Sequence, residues 1–427
     1  MVDQFLVMGG TMSLRRLRGW ALVVAVVIGW GAAGCESGAH GSSRAVIAVD
    51  TPTALADQVV HLKIGGLEPH DEITVGSSAT THDGKVWHGR ATFTADDHGL
   101  VDLSTTRPVS GTYDTVDGMG LFWSMRPATS VPNSEDFAPL YPELSPSYTV
   151  KITVTAHGRQ LASRTLTREW EAEGVSARTL TLAQDKVVGE MFLPRPGTPR
   201  HPTVLAFGGS EGGVSGMKFA AALLASHGYP TLALGYFSMP GLPARLHNIP
   251  LEYFATAARL LADQPGADPA HIIAMGYSRG SEPALLLAED YPDLIHGVVV
   301  YSPSSNVNPG YPGRGNAWTK DGQPIPQGGI PLDHLSGPLL AIAGADDALW
   351  PSPTYVEAIT DELHADHDRH PYQAPVYPNA GHGVGTFPFL AETTGSAESL
   401  GGSRAGNAVA KEHGWPKVLA FLAGTRK

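Results

Sequence analysis

The chain has 427 residues, enough for two domains with ample core. Its 42% hydrophobic and 16% charged content is that of an ordinary globular protein, and a formal net charge of -12 argues against a nucleic-acid partner and against charge-driven adhesion to anionic lipid. A single cysteine, Cys35, excludes any intramolecular disulfide.

The first element is a leader. Arg15, Arg16 and Arg18 precede an apolar run from Ala21 to Ile28, and small residues lead into Gly34-Cys35. A basic start, a short apolar stretch and a small-residue cut are the parts of an export signal over residues 1–35. The run is shorter than the roughly 20 residues that a membrane span takes. Ala32-Ala33-Gly34-Cys35 resembles the lipobox of bacterial lipoproteins, with Ala32 where leucine is usual. That resemblance implies lipidation at Cys35, a membrane lipid anchor and an extracytoplasmic location; without lipidation the protein is secreted. Residues 36–45 are small and polar and read as a flexible tether.

From 46 to 175 the pattern is of short alternating stretches such as Val59 to Ile64, Ala91 to Thr94 and Tyr148 to Val154, separated by Gly, Asp and Pro turns. Period two and β-branched residues predict an all-β, immunoglobulin-like sandwich. Within it, Met119 to Met125 is unusually apolar and is expected to pack the sandwich against the catalytic domain.

From 176 to 427 strand and helix patterns alternate. Apolar runs fall at 203–207, 231–235, 271–275, 297–301, 338–343 and 374–377, with helical stretches such as Phe219 to His227 and Leu251 to Leu261 between them. Fully apolar strands in repeated βα units predict a doubly wound, mostly parallel sheet covered on both faces. Residues 302–333, rich in Gly, Pro and Asn and without periodicity, are expected to form a cap over the site or a long functional loop.

Two Gly-x-Ser-x-Gly motifs follow strand-like runs, Gly276 to Gly280 around Ser278 and Gly208 to Gly212 around Ser210. With 50 glycines in the chain the motif alone decides nothing, so position must. In an α/β-hydrolase the order is nucleophile, acid, histidine. If 203–207 is the third strand, 271–275 is the fifth, 338–343 the seventh and 374–377 the eighth. Ser278 then sits on the nucleophile elbow and Ser210 on the oxyanion loop. The backbone N–H of Arg279, with one from Gly209 or Ser210, is expected to hold the oxyanion. After the seventh strand come Asp346 and Asp347, of which Asp347 has the better spacing; after the eighth comes His382, between two glycines. His382 would take the proton from Ser278, and Asp347 would orient it. The cluster His364, Asp366, His367, Asp368 and His370 lies at the polar end of a predicted helix and reads as solvated charge, so no metal or cofactor is implied.

Longer motifs point further. Gly111-Thr112-Tyr113 with Asp117 to Met125, Ala95 to Leu103, Phe207 to Gly213, Leu251 to Phe254, Gly276 to Gly280, Asp346-Asp347 with Trp350, and Tyr377-Pro378 leading to His382 occur in order. In these the chain resembles the family of type I acyl-CoA thioesterases and bile acid-CoA:amino acid N-acyltransferases, from about residue 46 to 425. The resemblance implies a β-sandwich, an α/β-hydrolase and a triad of Ser278, Asp347 and His382. In that family serine members hydrolyse and the conjugating branch carries cysteine. An acyl-serine needs only water and the same histidine base, so Ser278 points to hydrolysis of an acyl thioester. The export signal separates the chain from cytoplasmic CoA. It leaves a carboxylesterase or acyltransferase acting on lipid esters as one alternative, and a non-catalytic surface-binding lipoprotein as another.

Overall fold

A computed structural model describes residues 45–128, 137–366, 369–393 and 397–425. The expected leader with Cys35, most of the expected tether, and His367 and Asp368 lie outside the described residues.

The first part is all β apart from one helical turn. Strands β1 (Val46–Val49), β3 (Leu62–Gly65) and β6 (Val101–Asp102) form one antiparallel sheet, in the order β1-β3-β6. A second sheet has the order β2 (Thr53–Leu55), β10 (Arg159–Glu169), β9 (Ser147–Ala156), β4 (Glu72–Thr80), β5 (Val86–Thr94) and β7 (Ser110–Gly111), with β8 (Arg126–Pro127) also on β5. Its long strands alternate as a one-sided sheet must: Val150, Ile152 and Val154 of β9 are buried while Lys151 between them is exposed. The turn α1 (Gly120–Trp123) is buried throughout.

The second part is a nine-stranded mixed sheet. Strand β11 (Ser176–Leu180) and β12 (Val188–Leu193) pair antiparallel, with α2 (Leu182–Asp185) between them, and β12 pairs antiparallel with β14 (Thr231–Gly235). Parallel pairing then runs from β14 through β13 (His201–Phe207), β16 (Ala267–Tyr277) and β17 (Val298–Tyr301) to β22 (Leu339–Gly344), and β23 (Tyr372–Gln373) and β24 (Val376–Tyr377) pair with β22. Counted from β11, the spatial order is first, second, fourth, third, fifth onward, which is the α/β-hydrolase order. Both faces are covered, so β13, β14, β17 and β22 are buried or nearly so along their whole length.

Alternate residues of these strands enter two cores. Leu205, Ile272 and Ala274 pack with α4 (Leu251–Ala262), α5 (Ser281–Asp290) and α6 (Ser352–Ala365). Val204, Ala206 and Ile273 pack with α3 (Lys218–Ser226) and α8 (Arg404–Gly424), and that core runs without a break into the residues between the two N-terminal sheets. The short α7 (Ala397–Leu400) precedes α8. No helix among the described residues is long and apolar enough to cross a membrane.

The stretch 302–333, expected to form either a cap over the site or a long functional loop, folds as a loop. It forms short pairs, β18 (Asn306–Val307) with β21 (Gly328–Gly329), and β19 (Trp318–Lys320) with β20 (Gln323–Pro324) and with β15 (Ile249–Pro250). Trp318 is fully buried against Tyr236 and Phe254. Gly- and Pro-rich composition here encodes a braced loop packed beside α4 and α5.

Met119 to Met125 does pack as expected. The Arg404 guanidinium, on α8, donates to the carbonyls of Trp123, Ser124 and Met125, and Glu392 N–H donates to Trp123 O.

Candidate active site

Ser278 follows the last residue of β16 and opens a single 3-10 turn that leads into α5. Its φ is +54°, a conformation that costs a non-glycine residue about 1–3 kcal/mol and persists only where the surroundings enforce it. The enforcement is steric. A Cβ at Gly276 would stand 2.1 Å from the Gly280 carbonyl oxygen, and one at Gly280 would stand 2.4 Å from the Gly208 carbonyl oxygen. Only glycines allow β16, the turn and the loop after β13 to approach this closely.

The side chains that the sequence singles out meet here. Ser278 Oγ lies 2.9 Å from His382 Nε2, and His382 Nδ1 lies 2.8 Å from Asp347 Oδ2. With Nδ1–H donating to the carboxylate, Nε2 accepts the Ser278 hydroxyl. Asp347 is itself held: Ser352 Oγ donates to Oδ2 at 2.5 Å, and the N–H groups of Leu349 and Trp350 donate to Oδ1. Asp346 is exposed, and its backbone N–H donates to the Ala380 carbonyl. The His382 backbone is pinned at both ends. Its N–H donates to Leu400 O, and its carbonyl accepts from Tyr277 Oη and Ser302 Oγ, both at 2.8 Å.

The loop after β13 passes close to the elbow: a Cβ at Gly209 would fall 2.8 Å from Ser278 Cβ. The Gly209 N–H, one of the two candidates from this loop for the oxyanion, donates to both carboxylate oxygens of Glu211, at 2.9 and 3.0 Å. Ser210, the next residue of that loop, lines the same cavity as Ser278, and Arg279 directly follows Ser278 in the 3-10 turn.

Under the elbow lies a network that sequence reasoning missed. The Arg279 side chain turns away from the serine and pairs with buried Glu282 at 3.0 Å. Glu282 also accepts from Trp318 Nε1 and from the Asn308 amide and backbone N–H. Burial lifts the Glu282 carboxyl above its ordinary range, and Arg279, Trp318 and Asn308 pull it back toward ionisation. The one available signal was the (i, i+3) spacing of Arg279 and Glu282 on a helix start.

Ser278 and His382 open onto a cavity of about 590 Å³, a size typical of small-molecule sites. Its wall includes Ser210, Glu211, Phe219, Phe387 and Leu390, together with Phe137, Ala138 and Tyr141 from before β9; no residue of 302–333 lines it. His364 lies against Tyr372, and no metal-type cluster forms from the described members of its group; among the described residues only Glu289, Asp333 and His334 converge in that way.

The family model described as "Acyl-CoA thioester hydrolase/BAAT N-terminal region" matches residues 57–181, and the one described as "BAAT / Acyl-CoA thioester hydrolase C terminal" matches residues 316–425. Acyl-coenzyme A thioesterase 6 of Mus musculus is 28% identical over 400 residues, covering 86% of this chain and 93% of that protein. Acyl-coenzyme A amino acid N-acyltransferase 2 of Mus musculus is 28% identical over 418 residues, covering 88% of this chain and 96% of that protein. Among solved structures, a hormone-sensitive lipase from a metagenome library is 16% identical, covers 60% of this chain and 87% of its own, and has a TM-score of 0.39. Matched at both ends by its models, the chain belongs to the acyl-CoA thioester hydrolase and bile acid-CoA:amino acid N-acyltransferase family.

Proposed function

We propose that this protein is a serine hydrolase that cleaves acyl thioesters through an acyl-serine intermediate. The observation that carries the reading is the unbroken line Asp347–His382–Ser278, on a cavity wide enough for an acyl chain. His382 Nε2 takes the hydroxyl proton as Ser278 Oγ attacks the thioester carbonyl. The N–H groups of Arg279 and Ser210 receive the developing oxyanion. The carbon–sulfur bond breaks, and the leaving thiolate takes the proton from His382. Water, deprotonated by the same imidazole, then attacks the acyl-serine; the bond from the acyl carbon to Ser278 Oγ breaks, His382 returns the proton to Oγ, and the acid leaves. Asp347 holds the ring in the correct tautomer and stabilises its cation at each stage.

The leader supports a second reading of the same chemistry. Export and lipidation at Cys35 would put the site where acyl-CoA is not expected, so lipid esters or other acyl thioesters become the natural substrates. In that reading the N-terminal part is an immunoglobulin-like sandwich that holds the hydrolase off the membrane tether. Cys35→Ala is expected to move the protein from the membrane pellet to the supernatant.

The test of the hydrolase is a fluorophosphonate probe with a substrate panel. Labelling of the wild type that Ser278→Ala abolishes supports it; no labelling of folded wild type overturns it. Acyl-CoA, acyl-pantetheine and p-nitrophenyl ester rates then separate the readings. A preference for thioesters that carry the CoA moiety favours the first, and equal rates on simple esters favour the second.

A further inference from the structure

Part of the cavity wall comes from outside the hydrolase sheet. Phe137, Ala138 and Tyr141, which precede β9, face the same space as Ser278. This segment is built in. The Leu140 carbonyl accepts from Nε1 of fully buried Trp170 at 3.0 Å. The Trp170 ring stacks on Tyr148 at 4.9 Å and lies 4.6 Å from Phe219 and 5.8 Å from Phe387, which both line the cavity.

Tyr141 is fixed on two further sides. Its ring is 5.6 Å from Phe219, and Lys218 Nζ stands 3.8 Å from its centroid. Lys218 is buried, an expensive place for an ammonium unless it is paired, and it is paired with Glu143, two residues beyond Tyr141. A desolvated cation over an aromatic face adds to the hold. The wall so made offers carbon to whatever lies against it, while polar lining groups such as Ser210 and Glu211 flank Ser278 through the loop after β13.

We propose that Phe137, Tyr141, Phe219 and Phe387 form the subsite for an apolar acyl chain, and that Tyr141, clamped by Lys218 and Glu143, sets the chain length accepted. The proposal rests on reading Ser278 as the residue that receives the acyl group. Each methylene that finds an apolar wall is worth about fourfold in binding. A change in the size of a side chain on this wall therefore changes how many methylenes find contact, and the effect depends on chain length.

The experiment is kcat/KM on p-nitrophenyl esters from C4 to C16. Tyr141→Ala is expected to raise the ratio of the longest to the shortest ester about tenfold, because truncation of one ring admits further methylenes. Lys218→Met, which frees the ring, should move the ratio in the same direction by less. Ala138→Phe fills the space and should move it the other way, so the proposal stays open to refutation if Tyr141→Ala folds poorly. A change by one common factor at every length, in both Tyr141→Ala and Ala138→Phe, overturns it. Fluorophosphonate labelling of the wild type is the separate control. Labelled protein with a length-independent response defeats the subsite alone, whereas unlabelled folded protein defeats the assignment of Ser278 and the subsite with it.

Discussion

Trp318 Nε1 donates to Glu282 Oε2 at 2.7 Å. One residue lies in a glycine- and proline-rich stretch without periodicity; the other is in the first turn of the helix that follows the elbow. The bond, with those from Asn308, makes the 302–333 stretch a brace under the serine.

Removing the carboxylate of Glu282 leaves the Arg279 guanidinium buried without its partner. Glu282→Ala is expected to lower the unfolding free energy by about 3–5 kcal/mol. Trp318→Phe removes one donor and should cost about 1–3 kcal/mol. Urea denaturation measures both; equal midpoints for wild type and Glu282→Ala would show that the brace carries no stability.

Asp347→Asn should lower kcat by about 10³–10⁴-fold with little change in folding, because an amide favours the wrong imidazole tautomer. Asp346→Asn should stay within about threefold of wild type, since that side chain is exposed and only its backbone is engaged. Steady-state rates on one ester decide the matter, and a reversed ranking would move the acid to Asp346.

Gly209→Ala puts a methyl group 2.8 Å from Ser278 Cβ and 3.1 Å from Glu211 Oε2. The expected result is folded protein whose kcat falls more than about tenfold, as misplacement of a reacting group costs rate steeply. Gly276→Ala meets backbone at 2.1 Å, so it should cost about 1–3 kcal/mol of stability as well. Circular dichroism beside turnover separates the two effects.

Glu171 gives a pH dependence of stability. Burial, with Glu143 nearby, pushes its carboxyl up to about 7 from an ordinary 4.5, and Oε1 is buried without a partner. The folded state therefore holds a proton that the unfolded state releases between those values, and stability falls as pH rises through this window. Glu171→Gln, neutral throughout, should flatten that part of the curve and leave the variant above wild type at pH 8. Thermal midpoints from pH 4 to 8 test this, and parallel curves would refute it.

The elements were readable because their patterns are local. The fully apolar runs at 203–207, 231–235 and 271–275 coincide with β13, β14 and the buried end of β16. The glycines around Ser278 and His382 mark tight turns that motif spacing can rank. What the pattern could not give depends on distant parts of the chain. Glu211 capturing the Gly209 N–H is a side-chain choice with no periodicity. Trp170 reaching Leu140, and Lys218 reaching Glu143, join segments that nothing in their spacing connects. The role of 302–333 was unreadable for the same reason: composition announced a loop, and only the buried partners of Trp318 and Asn308 say which side of the molecule it serves.

Arg404, at the start of α8, spends its guanidinium on the carbonyls of Trp123, Ser124, Met125 and Glu392, and the core behind it is continuous with the space between the N-terminal sheets. Severing the chain between β10 and β11 would therefore not release an independent hydrolase: it would strip one wall from the cavity and leave a half-buried cation without most of its carbonyl partners. Any shuffling between relatives would have to move both halves as a matched pair.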